Sequence, residues 1–177
     1  EFVATGRDVH GGYAEYMTVH QDFAFPVPDR FSDVQAAPLL CAGVIGYRSM
    51  ALCHLRDSQR LGLTGFGASA HLVLKMVRHR FPHVAVYVFA RSSAEQAFAR
   101  SLGAAWAGDT KSQAPRLLDC IIDTTPAWTP VVAALANLKP GGRLVINAIR
   151  KEAADQEVLL SMDYSSHLWQ EKEIKSV

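Results

Sequence analysis

From Arg60 onward the chain alternates short apolar runs with longer amphipathic ones. Leu61–Thr64, Val84–Phe89, Ala105–Ala107, Leu118–Asp123, Arg143–Asn147 and Glu173–Val177 are predicted strands, in that order. Val84–Phe89 is apolar without alternation, the pattern of a strand covered on both faces. Between the first two runs, Ala70, Val73, Leu74, Val77 and Phe81 recur at helical spacing. Arg78, His79 and Arg80 fall in that helix's last turn, where the helix dipole favours cations, and Pro82 stops it. Ser93-Ala94-Glu95-Gln96 reads as a capping box opening the next helix, and Gly103 as its end. A third helix is predicted over Pro126–Leu138, followed by a tight turn at Pro140-Gly141-Gly142. Strands joined by helical crossovers imply a mostly parallel sheet with helices on both faces, the doubly wound α/β class.

The leader reads differently. Gly11-Gly12 marks a turn, Tyr13–Val19 is aromatic and β-branched enough to be a strand, and Pro26 and Pro28 interrupt it. Ser32 or Asp33 then caps a predicted helix running through Ala36, Leu39, Leu40, Val44, Tyr47 and Leu52. Its low charge before Arg48 predicts burial. The resulting organisation is a leader at 1–32, a connecting helix with Cys41 at 33–57, and the α/β domain at 58–177.

Composition narrows the class of partner. With 177 residues, 49% hydrophobic and 20% charged, the chain can bury a substantial core. A net charge of +1 offers no field for nucleic acid or a membrane surface, so neither is expected as a partner. Cys41, Cys53 and Cys120 match neither a disulfide framework nor a paired zinc knuckle, and a cytoplasmic, reducing setting is expected. The chain begins without Met and ends in what reads as mid-strand, so it is expected to be part of a longer protein. The leader strand would then have lost partners, and its apolar edge predicts self-association into a homo-oligomer.

The chemistry lies at the first strand-to-helix junction. Gly65-Phe66-Gly67-Ala68-Ser69-Ala70 is G-x-G-x-x-A between a predicted strand and helix, the phosphate turn of a Rossmann dinucleotide-binding domain. Gly65 permits the turn, Gly67 leaves room for a pyrophosphate, and Ala70 lets helix and strand approach. The free N–H groups of Ala68 and Ser69 would face the phosphates, the helix dipole adding ~1 kcal/mol. The other reading is a sharp turn that merely needs small residues. At the end of the second strand, an NAD site places a carboxylate for the ribose hydroxyls, whereas an NADP site supplies a cation for the 2′-phosphate. Here the residues are Ala90, Arg91 and Ser92, with no carboxylate before Glu95. Arg91 offers a donor fork and Ser92 a hydroxyl, so NADP is expected, with NAD the alternative. The alternative for Arg91 is an exposed loop cation. Thr124 after the fourth strand, and Asn147 and Ala148 after the fifth, lie where the nicotinamide half is expected, or are plain strand ends.

Three further stretches carry a family resemblance. Gly11-Gly12-Tyr13-Ala14-Glu15-Tyr16, the segment Ala37–Arg48 around Leu40-Cys41-Ala42-Gly43, and Leu138–Arg143 accompany the phosphate turn in order. Together they resemble the zinc-dependent alcohol dehydrogenases of the medium-chain dehydrogenase/reductase superfamily. The resemblance implies a two-domain enzyme, of which this chain holds the cofactor domain and a remnant of the substrate domain. It implies hydride transfer between an alcohol, or the matching aldehyde or ketone, and the cofactor. It also implies zinc in the full-length parent, with Cys41 as one of three protein ligands. No Cys precedes Cys41, and His10 and His20 fit none of the family's metal motifs, so this chain alone is expected to be inactive. Ile45 stands where the family commonly has Thr. Catalytic residues are not assigned, and Asp119 and Asp123 bracket a strand without an evident acid/base pairing. The rival functions are a zinc-free quinone oxidoreductase of the same superfamily, a non-catalytic nucleotide-binding module, and a methyltransferase. The last is opposed by the missing acid after the second strand.

Overall fold

The computed structural model describes residues 3–177 and divides the chain into two compact units, Glu1–Ala36 and Ala37–Val177.

The first unit has little regular structure. It holds one isolated bridge between Thr5 and Val9, a 3-10 turn at Gln21–Phe23 and the short helix α1, Asp33–Ala36. The strand expected at Tyr13–Val19 does not form. Those side chains stand in water, Tyr13 and Tyr16 almost fully exposed, and no neighbouring strand is there to take the backbone N–H and C=O groups.

The second unit is a six-stranded parallel sheet. Its strands are β1, Arg60–Thr64; β2, Ala85–Phe89; β3, Trp106–Gly108; β4, Leu118–Asp123; β5, Leu138–Ile146; and β6, Glu173–Ser176. They lie in the order β3-β2-β1-β4-β5-β6, all neighbours parallel. This is the doubly wound Rossmann order, and the chain reverses its direction of winding between β1 and β4. Helix α2, Ala42–Leu52, precedes the sheet; the crossover helices are α3, Ala68–Arg80; α4, Ser93–Ser101; and α5, Thr129–Asn137, with the short α6 at Tyr164–His167.

Two cores follow from the alternation of side chains along the strands. Leu61, Leu63, Val86, Val88 and Ile122 meet Val73, Leu74 and Val77 of α3 with Met50 of α2 and Ala99 of α4. Tyr87, Phe89, Ile121 and Leu144 meet Val131, Ala134 and Leu135 of α5 on the opposite face. Cys53, just after α2, and Cys120 of β4 are joined as a disulfide with Cα atoms 5.8 Å apart. The expectation of unpaired cysteines is thereby corrected; a separation of 67 residues carries no sequence signal, and only the fold brings the two together.

Four local expectations also change. The connecting helix is broken, passing from α1 through a 3-10 turn at Ala37–Leu40 before α2 begins. It is not wholly buried, because only the stripe Gly46, Ser49 and Met50 is covered while Val44 and Tyr47 face water. The α4 capping box is Ser92 with Glu95, one residue earlier than read, since Ser92 keeps an extended backbone and Ser93 is already helical. The Pro140-Gly141-Gly142 turn lies inside β5, whose pairing with β4 shifts register between Leu118 and Cys120 while Gly141 takes φ +67°.

Candidate functional site

The ends of β1, β4 and β5 and the start of α3 converge where the winding reverses. Gly65 follows β1 with φ +78°, a conformation that favours glycine, and its N–H donates to Phe89 O at 2.8 Å. A Cβ there would meet Thr124 Oγ1 at 2.8 Å. Gly67 is the N-cap of α3, and a Cβ built on it meets nothing within 4 Å. Open space therefore lies over the first turn of α3, whose leading N–H groups have no intrahelical partner. Ala70 is fully buried, which allows the close packing of α3 on the sheet.

A cleft of about 670 Å3 opens there, lined by Cys41, Ile45, Gly67, Ala68, Ser69, Thr124, Pro126, Asn147 and Ala148 among others. A second hollow of about 410 Å3 is lined by Gly65, Phe66, Gly67, Arg91, Glu95, Thr110 and Thr124 among others. The two share Gly67, Thr124, Pro126 and Glu152 and so form one groove in two halves across the end of the sheet. Eight of the ten residues expected at a dinucleotide line this groove, Ala70 being buried in the core for the packing role expected of it. Ser92 is the exception: its hydroxyl accepts from Glu95 N–H at 3.0 Å, and it is not among the lining residues. A further hollow of about 600 Å3 lies wholly within the first unit, and its lining residues include His10, Tyr13 and Tyr16 but no carboxylate.

The strand ends are pinned by hydrogen bonds. Thr124 N–H and Oγ1 both donate to Thr64 O, at 2.9 and 3.0 Å. Asn147 Nδ2 donates to Ser49 Oγ at 3.1 Å, and Ser49 Oγ donates to Ile45 O at 2.7 Å, fixing the end of β5 to α2. Beneath the groove Lys151 pairs with Asp123, the last residue of β4. Burial pushes the Asp123 carboxyl above the usual range, against the pull of Lys151 and of the Thr125 hydrogen bonds. Asp155 accepts from Trp128 N–H and Thr129 N–H, at 3.0 and 2.7 Å, and caps α5 from a distant loop. Those two backbone donors hold its carboxyl below the usual range.

Lys151, Asp155 and Ser49 escape sequence reasoning because each acts over a long separation. A partial signal exists for one of them: an aspartate closing the apolar run Cys120-Ile121-Ile122-Asp123 demands a cation, though nothing local says which.

Cys41 is an exposed free thiol on the larger half of the groove. Among the described residues no three His, Cys, Asp or Glu side chains converge, so the residues present do not make a zinc site. No helix among them is long and apolar enough to cross a membrane.

No family model matches the chain. Individual relatives do. The "probable alcohol dehydrogenase AdhA" of Mycobacterium tuberculosis is 40% identical over 173 residues, covering 98% of this chain and 48% of that protein. Among solved structures, a cinnamyl alcohol dehydrogenase from Sorghum bicolor is 27% identical with a TM-score of 0.68, covering 89% of this chain and 44% of its own. The yhdH oxidoreductase of Salmonella enterica, solved in complex with NADP, has a TM-score of 0.77 at 16% identity and covers 98% of this chain and 54% of its own. The chain thus spans about half the length of the curated relatives it matches.

Proposed function

We propose, given that the chain belongs to the alcohol dehydrogenases of the medium-chain dehydrogenase/reductase superfamily, that residues 37–177 bind NADP(H) in the groove over β1 and β4. The observation that carries this is the open space over Gly67 at the start of a 13-residue helix, beside an exposed Arg91. A pyrophosphate seated there accepts from the leading N–H groups of α3 with the positive end of the helix dipole behind it. Arg91, on the smaller half, is placed for a 2′-phosphate. Glu95 and Glu152 share that half, and the Glu95 carboxylate keeps its charge while accepting from Ser92 N–H in the capping box; Arg91 is the cation among the lining residues. Thr124, Asn147 and Ala148 line the larger half and would enclose the nicotinamide end.

When bound, the oxidised nicotinamide would accept a hydride from an alcohol carbon, and the reduced one would return it to the matching aldehyde or ketone. The chain's own residues orient it and exclude water; no metal step is assigned, because Cys41 has no co-ligands here. Titration calorimetry of the 177-residue chain with NADPH and, separately, NADH tests the reading. Tighter binding of NADPH is expected. Tighter NADH removes the NADP assignment, and no binding of either removes the whole proposal. Self-association belongs to the same reading, since Tyr13, Tyr16, Phe23 and Phe25 are exposed in the first unit. A monomer across a wide concentration range in light scattering would count against it.

A further inference from the structure

Two loops, one after β4 and one after β5, line part of the larger half of the groove opposite the starts of α2 and α3, and the Lys151 ammonium joins them. Lys151 Nζ donates to Asp123 Oδ2, to Thr125 O at 2.8 Å and to Ala127 O at 2.9 Å. That uses all three of its N–H donors. The Lys151 side chain is 10% exposed and the Asp123 side chain 0%. Asp123 Oδ1 is occupied in turn by Thr125 Oγ1 at 2.8 Å. The acceptors lie at the end of β4 and on the loop after it, and the donor lies on the β5 loop. The same two segments are tied again by Glu152 N–H to Pro126 O at 2.8 Å.

A buried ion pair is a poor device for stability alone, because desolvating both charges offsets most of their attraction. What the pair does supply is a fixed geometry, since a compact ammonium with three directed acceptors admits one arrangement of the two loops. Those loops carry Thr124 and Pro126 on one side and Asn147, Ala148 and Ile149 on the other, all five on the larger half. The smaller half shares the β4 loop, since Thr125 and Ala127 line it and their carbonyls accept from Lys151, whereas Gly65 and Arg91, just after β1 and β2, receive no bond from it among those described.

We infer that Lys151 is a positioning residue for the nicotinamide half of the cofactor, clasping the β4 and β5 loops so that the wall exists before the cofactor arrives. The inference rests on the reading that the groove takes NADP(H). Lys151 itself is covered and touches no cofactor. Its contribution is preorganisation: loops that must be ordered on binding cost affinity, and loops already ordered do not.

The test separates the two halves of the ligand. Titration calorimetry compares NADPH with adenosine 2′,5′-bisphosphate, which lacks the nicotinamide half, on the wild-type chain and on Lys151→Met. Wild type is expected to bind NADPH more tightly than the bisphosphate. Lys151→Met is expected to bind NADPH about tenfold more weakly and the bisphosphate, which meets the β4 loop but little of the β5 loop, no more than about threefold more weakly. Equal losses for both ligands, or no loss for either, would overturn the assignment, as would a wild type that binds the two alike. Because Lys151→Met leaves Asp123 buried and unpaired, the double variant Asp123→Asn with Lys151→Met removes both charges and should show the same split. If neither variant gives a cooperative melt, the pair serves the fold and the positioning role is overturned. A wild type that binds neither ligand instead overturns the groove's reading as a dinucleotide site.

Discussion

Two glycines two residues apart should respond to the same substitution in opposite ways. Alanine at Gly65 must hold φ +78°, which costs an L-residue roughly 1–2 kcal/mol, and its Cβ falls 2.8 Å from Thr124 Oγ1 and 3.0 Å from Thr125 Cγ2. Thr124 cannot swing away freely, because its hydroxyl bonds Thr64 O at 3.0 Å. Overpacking of this kind costs about 1–3 kcal/mol, so Gly65→Ala should lose about 2–5 kcal/mol in all. That is a large share of the roughly 5–15 kcal/mol that holds a domain folded. At Gly67 the backbone is extended, φ −81° and ψ −164°, and no atom lies within 4 Å of the new Cβ. Gly67→Ala should therefore stay within about 1 kcal/mol of wild type and tend to stabilise, by restricting the unfolded chain. Its methyl group would occupy the space over the start of α3. Loss of one charge-assisted N–H bond to phosphate is worth about 1.5–3 kcal/mol, so NADPH should bind about tenfold to a hundredfold more weakly. Urea denaturation followed by circular dichroism gives the stabilities, and calorimetry the affinities. A Gly65→Ala variant that loses less than about 1 kcal/mol would refute the steric argument. A Gly67→Ala variant with wild-type affinity would refute the placement of the phosphate.

Arg91→Ala should weaken NADPH binding by about tenfold to a hundredfold, the worth of a charge-assisted contact, and leave NADH unchanged; equal losses for both in parallel titrations would remove Arg91 from the 2′-phosphate. Asp155 has a folded pKa below its unfolded one, so its stabilisation is complete above the unfolded value and is lost as pH falls through the folded value. Urea midpoints measured down that acid limb should fall less steeply for Asp155→Asn than for wild type, and parallel curves would contradict the cap. Leu135→Ala, at a fully buried position of α5, should cost about 2–5 kcal/mol in the same denaturation assay. Elemental analysis of the purified chain should find zinc well below one per chain, because Cys41 has no co-ligands among the described residues; stoichiometric zinc would contradict this.

What could be read from the sequence was what is local along it. The central strands were visible because burial on two faces leaves continuous apolar runs: Leu118–Asp123 was bounded as observed, and the predicted starts of β1 and β2 fell within one residue. The phosphate turn was visible for the same reason, its geometry being dictated by six consecutive residues. The leader was misread because Tyr13–Val19 has strand-like residues but no strand beside it, and a strand is a property of pairs. The bulge inside β5 was read as a turn because Pro-Gly-Gly has the same composition in either setting.

The groove divides along that same line. Its smaller half includes residues that follow directly from β1 and β2, whose types alone suggest a dinucleotide, beside Thr124–Ala127 after β4. Its larger half includes loops after β4 and β5, held by Lys151 to Asp123 across 28 residues and by Asn147 to Ser49 across 98. Such contacts leave no periodicity and no motif, since either partner alone is an ordinary polar residue near a strand end. The glycine turn and Arg91 were therefore legible, and the loops proposed to orient the reacting ring were not. For that reason the binding split between NADPH and its adenosine fragment, rather than overall affinity, is the measurement that distinguishes a built nicotinamide wall from a generic phosphate turn.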